Sequence, residues 1–393
     1  MNQENYYQYN PWWEDKNITT KSIKREKYLN LMEDVFSKKD IVVLTGLRRV
    51  GKTTLLKDFI EILINKKHIE PKHIFYISLD DYSLGDFSIL EIVREYRSLH
   101  KLKIDEKIYL FLDEITFKDN FQQQLKNLYD NQNTKIYISA SSSSVLKDKK
   151  ALLTGRERII EVLPLDFNEY LLFKNIKIEN RNAYLKKTYF EEYLQIGGMP
   201  EYVLTNDRAY LNSLIEDIIQ KDIIAYHNIK NKQLIKDFFI LLMERAGKQV
   251  SINKLAKILS ISPDTAKRYL SLFEETYLIN LVSRFGHTNS SILSPKKVYA
   301  SDLGIKNFFT GFRDKGAIFE NYVYLLIKKF NPKYIYENGI EIDFITENQK
   351  LIEVKYENNL NEKQKSLYEK TKAKEKYIFD SIDSLDIIGD WDD

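Results

Sequence analysis

Short apolar runs alternate with helical patterns along the first part of the chain. Ile41–Leu44 is a run of strand type, Lys52–Ile64 carries helical periodicity, and strand-like runs follow at Ile74–Leu79, Ile108–Leu112, Lys135–Ser139 and Ile159–Leu163. Strands alternating with helices predict an α/β fold, a parallel sheet with helices on both faces, over residues 41–165. Residues 1–40 open on Asn10-Pro11-Trp12-Trp13 and run through a charged helical stretch with Arg25, Tyr28 and Leu31. They are expected to form an extension whose tryptophans pack on the domain that follows. Residues 166–230 read as mostly helical, broken at Gly197-Gly198-Met199-Pro200. Residues 231–300 read as short helices followed by a strand or two. Residues 301–393 are mixed: Gly316–Lys329 is a predicted helix, and Ile340–Thr346 and Lys350–Tyr356 alternate as strands do. The acidic tail, Asp383–Asp393, is expected to fray.

Composition narrows the classes. A chain of 393 residues is too long for one ordinary core, so two or three domains are expected. With 60 basic against 57 acidic residues the net charge is only +3, which excludes a bulk polycation but not a local basic face. The chain has no cysteine, which excludes disulfides, thiolate zinc sites, iron–sulfur ligation and thiol catalysis. Residues 1–6 lack a basic then apolar leader, and no apolar run approaches ~20 residues. A cytoplasmic protein without membrane contact is the expectation.

Candidate chemistry is concentrated after the first strand. Gly46-Leu47-Arg48-Arg49-Val50-Gly51-Lys52-Thr53 satisfies the full phosphate-loop (Walker A) pattern between a strand and a helix. Glycines admit the backbone geometry, successive N–H groups including those of Arg49, Val50 and Thr54 turn toward phosphate, and the helix N-terminus favours the anion. Lys52 is expected to reach the β- and γ-phosphates of ATP, and Thr53 to ligate Mg2+. Ile108–Leu112 ends in Asp113-Glu114. There Asp113 would hold Mg2+ and Glu114 would polarise the attacking water, an arrangement suited to hydrolysis rather than slow nucleotide sensing. At the end of the fourth strand, Ser141 or Ser142 would contact the γ-phosphate or the water, or else simply form a serine-rich turn. Arg156 or Arg158 would stabilise transition-state charge in this chain or a neighbouring subunit, or else serve as surface ion-pair residues.

These motifs, with Leu112-Asp113-Glu114-Ile115, Thr154-Gly155-Arg156, Pro164-Leu165-Asp166-Phe167-Asn168-Glu169 and Gly197-Gly198-Met199-Pro200-Glu201, fall in one order. The chain resembles the AAA+-like (AAA_14) P-loop ATPases whose C-terminal half carries the DUF4143 region, and the Asn-Pro-Trp-Trp opening resembles archaeal members. The resemblance implies an ATPase core, a winged-helix-like middle and a restriction-endonuclease-like end. The chain departs from the usual pattern at Thr116, Phe117 and Phe121, and has Ala140 where glycine is common.

Two further constellations lie downstream. Leu234–Arg245, the short helix after Ser251 and the helix after Pro263 resemble a winged helix-turn-helix over 231–300. Thr265, Lys267 and Arg268 would then face a DNA groove, although such modules also dock proteins or act as lids. In 301–393, Glu320 precedes Asp343 on one strand and Glu353-x-Lys355 on the next, the PD-(D/E)xK arrangement. These acids would hold a second Mg2+ or Mn2+, with Lys355 orienting water, unless the fold is kept for binding alone. Three readings are open: an ATPase acting on DNA, a nucleotide-gated switch that binds a protein partner or self-assembles with nucleotide, and either of these with nuclease action added.

Overall fold

Five parallel strands build the first sheet: β1 (Ile41–Thr45), β2 (Ile74–Ser78), β3 (Ile108–Asp113), β4 (Thr134–Ser139) and β5 (Glu157–Glu161), in spatial order β2-β3-β4-β1-β5. Strands β1, β3 and β4 are buried along their whole length; β1 and β3 accordingly read as apolar runs, whereas β4 also buries Lys135, whose ammonium donates to the carbonyls of Val35, Lys38 and Asp40. Preceding helices are α1 (Gln3–Tyr9) and α2 (Glu26–Asp34); between the strands run α3 (Lys52–Asn65), α4 (Ile89–Leu99) and α5 (Phe121–Asn131). Ile41, Val43, Phe75, Ile77, Leu110 and Ile138 pack with α4 and α5 on one face. On the other face, Phe59 of α3 meets Tyr137, itself stacked on Phe111. The fifth strand begins two residues earlier than its apolar pattern suggests. Its register is fixed by pairing with β1, Ile41 opposite Glu157, rather than by burial.

The computed structural model describes residues 3–15, 18–141, 153, 155–225, 229 and 231–392. The chain divides into two compact units, Met1–Leu163 and Pro164–Asp393. Within the first, β2 is an edge strand, and an edge leaves backbone groups without partners. The N-terminal segment supplies them. The buried Asn10 side chain accepts from Tyr76 N (2.7 Å) and donates to Tyr76 O (2.9 Å), mimicking a neighbouring strand. The Trp13 indole donates to Ile74 O at 2.9 Å and stacks on Phe75 and Tyr96.

The second unit opens with α6 (Phe167–Phe173), α7 (Leu185–Ile196), α8 (Pro200–Thr205), α9 (Arg208–Asp217) and a π-helical turn at Ile218–Ala225. Next come α10 (Lys232–Met243), β6 (Lys248–Val250), α11 (Ile252–Ile258), α12 (Pro263–Glu275), β7 (Ile279–Val282), α13 (Thr288–Leu293) and β8 (Lys296–Ala300). The three strands are antiparallel in order β6-β8-β7. After α14 (Leu303–Thr310) and α15 (Lys315–Ile327), strands β9 (Lys333–Glu337), β10 (Ile340–Ile345) and β11 (Lys350–Val354) lead through α16 (Glu362–Lys370) to β12 (Glu375–Phe379). Their order is β12-β11-β10-β9, with only the β11–β12 pair parallel. One core runs from Leu165 through Phe190, Tyr299, Tyr322 and Phe344 to Trp391, so the segments divided at 230 and 300 by sequence share apolar packing. The acidic tail is not frayed: Asp383–Asp392 forms a 3-10 helix because Leu385, Ile388 and Trp391 recur at a spacing that buries them together.

The Gly-Gly break is a close approach of backbones. A Cβ at Gly198 would lie 2.2 Å from Leu165 O. The N–H of Gly198 donates to the buried Asp302 carboxylate at 2.7 Å, which also caps α14 through Ile305 N at 2.8 Å. Burial pushes the Asp302 carboxyl up to about 6, partly offset by these backbone donors. A raised carboxyl favours the folded state below the ordinary carboxylate pKa and loses that contribution as pH rises through the folded value. Between pH 4 and pH 7 the protein is therefore expected to lose about 2 kcal/mol relative to Asp302→Asn, which keeps an acceptor without the charge. Urea unfolding of both proteins at the two pH values measures this difference.

Candidate functional site

The loop between β1 and α3 carries the first site. Gly46 (φ +131°) and Gly51 (φ +102°) both take backbone conformations that side chains disfavour, and a Cβ at Gly46 would lie 2.3 Å from Val162 O. Lys52 is buried at the first turn of α3, its ammonium donating to Gly46 O (2.9 Å) and Leu47 O (3.0 Å). Arg49 and Thr54 are exposed, Thr53 is half-buried and Val50 is buried. The buried Arg25 braces the loop from outside, donating to Val50 O and Leu163 O.

Asp113, at the carboxyl end of β3, gathers three hydroxyl donors. Thr53 Oγ1 lies 2.6 Å and the Tyr76 phenol 2.9 Å from its Oδ2, and Ser139 Oγ bonds Oδ1. Burial and the Asp113 charge hold the Tyr76 phenol far above its ordinary range, so it stays a donor. Ser139 also accepts from Glu114 N at 2.9 Å, which fixes the next residue. Glu114 sits in the left-handed region (φ 51°), and its carboxylate accepts from Ser141 at 2.7 Å. Burial raises the Glu114 carboxyl above its ordinary value; the Lys52 charge and the Ser141 hydroxyl oppose the rise. The structure thus brings together Gly46, Lys52, Thr53, Asp113, Glu114 and Ser141. Ser142 and Thr154 lie outside the described residues.

Arg156 does not join this site. Its backbone carbonyl accepts from Ile41 N at 2.7 Å, at the start of β1, while the loop follows the end of that strand. Parallel strands that begin together place Arg156 a strand length of ~15 Å from the phosphate loop. Its guanidinium pairs with Asp130 at 3.4 Å. The neighbouring-subunit and surface ion-pair forms of that expectation stay open, and Arg158 is exposed on β5. Sequence reading also missed Tyr76, Asn10 and Ser139. Ser139 stood one alternation before Ser141 and could have been weighed with it; Tyr76 gave no local signal.

The downstream candidates are placed as follows. Lys267 and Arg268 are exposed on α12, and the Thr265 hydroxyl is engaged with the Ser262 cap at 2.8 Å. Glu320 of α15, Asp343 of β10, and Glu353 and Lys355 at the end of β11 do converge, and β10 carries a register shift between Ile342 and Ile345. Between Glu320 and Asp343 stands Lys297 of β8, fully buried, which sequence reading did not single out. Its ammonium lies 2.7 Å from Glu320, 2.6 Å from Glu341 and 3.4 Å from Asp343. Lys355 pairs with Glu353 at 2.7 Å. Burial opposes the charge on Lys297, but Glu320 and its neighbours more than offset it and hold the ammonium well above the ordinary lysine range. Burial, then the Asp343 charge, raises the carboxyls of Glu320 and Glu353. Among the described residues no group of three or more His, Cys, Asp or Glu side chains is arranged to hold a metal ion, contrary to the expectation for Glu320, Asp343 and Glu353.

Comparison with known proteins agrees with the first unit. The AAA domain family (AAA_14) matches residues 38–171. The uncharacterized protein MJ1544 of Methanocaldococcus jannaschii is 32% identical over 371 residues, covering 88% of this chain and 81% of that protein. The chain belongs to the family of MJ1544. A second protein of that organism, MJ1637, is 30% identical over 313 residues, covering 72% of this AAA-domain chain and 65% of its own length. Residues 187–316 match a domain of unknown function, DUF8612, a different domain from the DUF4143 region that the motifs suggested. Among solved structures, the Walker-type ATPase PABY2304 of Pyrococcus abyssi aligns with 74% of this chain and 96% of its own, at 14% identity and a TM-score of 0.48. Among the described residues no helix is long and apolar enough to cross a membrane.

The donors around Asp113 generate a test. Tyr76→Phe keeps the ring and removes one donor to the carboxylate. Loss of such an orienting partner is expected to raise the Mg2+ concentration for half-maximal binding of a fluorescent ADP analogue about tenfold. Metal-free binding of the analogue should change less than about twofold, since the phenol touches Asp113 and not the phosphate loop. An unchanged Mg2+ dependence would reduce Tyr76 to packing.

Proposed function

We propose that this AAA-domain protein is a Mg2+-dependent ATP hydrolase whose turnover is coupled to DNA. The observation that carries the ATPase reading is the assembly of the phosphate loop, Thr53, Asp113 and Glu114 at the carboxyl ends of β1 and β3, the two strands that flank β4. The donors fit the ligand. Thr53 and Asp113 offer hard oxygens, and the loop offers backbone N–H groups with a lysine beside them. Mg2+ held by Thr53 and Asp113 would neutralise developing phosphate charge.

The chain's own residues supply the rest. Lys52 exchanges the Gly46 and Leu47 carbonyls for phosphate oxygens. Glu114 takes the proton of the attacking water, its carboxyl raised by burial toward the range of a useful base. Ser141 holds that carboxylate, and Ser139 fixes the backbone beneath it. An arginine from a neighbouring copy, with Arg156 the candidate, would complete the charge stabilisation in a nucleotide-dependent assembly.

Support for DNA comes from the α10–β6–α11–α12–β7–α13–β8 segment, three helices and a small antiparallel sheet, an order that resembles a winged helix with α13 inserted between β7 and β8. Its third helix starts at Pro263, and the exposed Lys267 and Arg268 follow in its first turns. A second reading, a nucleotide-gated switch that binds a protein, is favoured by Ile292 and Leu293, 72% and 84% exposed on α13. Large apolar side chains so exposed mark docking surfaces more often than nucleic-acid faces.

The deciding measurement is ATP turnover with and without single-stranded, duplex and branched DNA. DNA is expected to raise turnover in the wild-type protein and not in Lys267→Glu/Arg268→Glu. Glu114→Gln should lower turnover by about 10²-fold or more while retaining ATP, and Lys52→Ala should lose both binding and turnover. Turnover indifferent to every DNA form would transfer support to the switch. Turnover indifferent to Glu114→Gln would remove the hydrolytic reading itself.

A further inference from the structure

The centre around Lys297 is built like a metal site and filled like an ion pair. Three carboxylates, from Glu320, Glu341 and Asp343, face the Lys297 ammonium, Glu353 lies next to Asp343 and pairs with Lys355, and the oxygens of these acids already hold donors. Asp343 Oδ1 faces the Lys297 ammonium, and its Oδ2 accepts from Val354 N at 2.9 Å. Glu353 Oε1 takes Lys355 at 2.7 Å and Gln364 at 3.3 Å, and its Oε2 accepts from Asp343 N at 3.2 Å. Glu320 Oε1 accepts from both Lys297 and the Tyr299 phenol (2.6 Å). Glu341 divides its oxygens between Lys297 and Gln249. An ion bound at ~2.0–2.6 Å from Glu320 and Asp343 would overlap the ammonium, since Lys297 already stands within hydrogen-bond reach of both. The residues therefore do not fit a divalent ion while Lys297 is in place.

We infer that Lys297 is the resident cation of this centre. Its ammonium occupies the position between Glu320, Glu341 and Asp343 that a catalytic metal would require, and the acids form a metal-free clasp tying strand β8 to helix α15 and strand β10. Every partner lies on a different element from Lys297, so the clasp closes the second unit through charge as well as through its apolar core. The balance is one-sided. A buried ammonium is tolerated only with its carboxylates, and those carboxylates are tolerated only with a cation. Removing Lys297 alone leaves a buried cluster of hard oxygens with an uncompensated negative charge, the condition under which a divalent ion binds.

Mn2+ binding to the full-length, nucleotide-free chain tests this, read by electron paramagnetic resonance of free Mn2+. An Asp113→Asn background removes the acid of the phosphate loop. With Lys297 intact, no binding that depends on Asp343 is expected. Lys297→Met keeps the length of the side chain and removes the charge. It is expected to bind one Mn2+ roughly 100-fold more tightly than the parent, with a matching rise in melting temperature on adding Mn2+. Adding Asp343→Asn should abolish both effects. Mn2+ binding by the Lys297-containing protein that Asp343→Asn abolishes would overturn the inference. So would a folded Lys297→Met protein that gains no Mn2+. If Lys297→Met does not fold, the comparison of Asp113→Asn with Asp113→Asn/Asp343→Asn decides alone: equal and negligible binding supports the resident lysine, and Asp343-dependent binding refutes it.

Discussion

The organisation of the first unit depends on one carboxylate. Asp113 ends a strand buried along its length, and a charge there must be solvated by the protein. It is solvated by hydroxyls from three other elements: Thr53 from the helix after the phosphate loop, Tyr76 from the edge strand and Ser139 from the neighbouring strand. Those three bonds fix the relative positions of β2, β3, β4 and α3 at the end of the sheet where the loop lies. The N-terminal segment belongs to the same arrangement. Asn10 grips the backbone of Tyr76, so the residue that touches Asp113 is held on both sides of its peptide. An extension that would otherwise count as packing acts two bonds away from the candidate metal ligand.

How much of this was legible in sequence follows from how local each constraint is. The strands β1 and β3 could be read because complete burial of their inner residues demands apolar runs. The phosphate loop could be read because its backbone geometry demands glycine at fixed positions. Both requirements are met by neighbours along the chain. Strand β5 was displaced by two residues because its limits are set by pairing with β1, which no local pattern records. Tyr76 and Lys297 were invisible for the same reason. A tyrosine in an apolar strand reads as core. A lysine in a chain with many lysines reads as surface, and the acids that bury Lys297 lie 23, 44 and 46 residues further on. Arg156 differs in kind: its residue type suits transition-state chemistry, but its strand begins at the end of the sheet away from the phosphate loop of its own chain.

The second unit shows why a shared core matters for reading the two halves of a candidate site. The segments separated near residue 300 contribute Val282 and Tyr299 on one side and Tyr324 and Phe344 on the other to the same apolar cluster, with Tyr299 stacked on Tyr324 at 4.4 Å. Tyr299 is also a donor to Glu320. Strand β8 is therefore attached to the acidic elements by an aromatic stack and by hydrogen bonds, and Lys297, two residues earlier on the same strand, projects from a backbone that is already fixed. The ammonium is positioned by packing as well as by charge, which is why it reaches three carboxylates at once.

The two acid centres are distinguished by what compensates them. Around Asp113 stand three neutral hydroxyl donors. Neutral donors stabilise a carboxylate while leaving its net charge in place, so a divalent cation still finds an anion there. Around Asp343 and Glu353 the partners include two ammonium groups, which cancel charge rather than merely solvate it. A cation approaching that centre would meet a cluster already balanced and would have to displace a buried lysine to gain ligands. Counting acids alone makes the two centres look alike. Counting the charge of their donors separates a site prepared for a metal from one that has no remaining need of it.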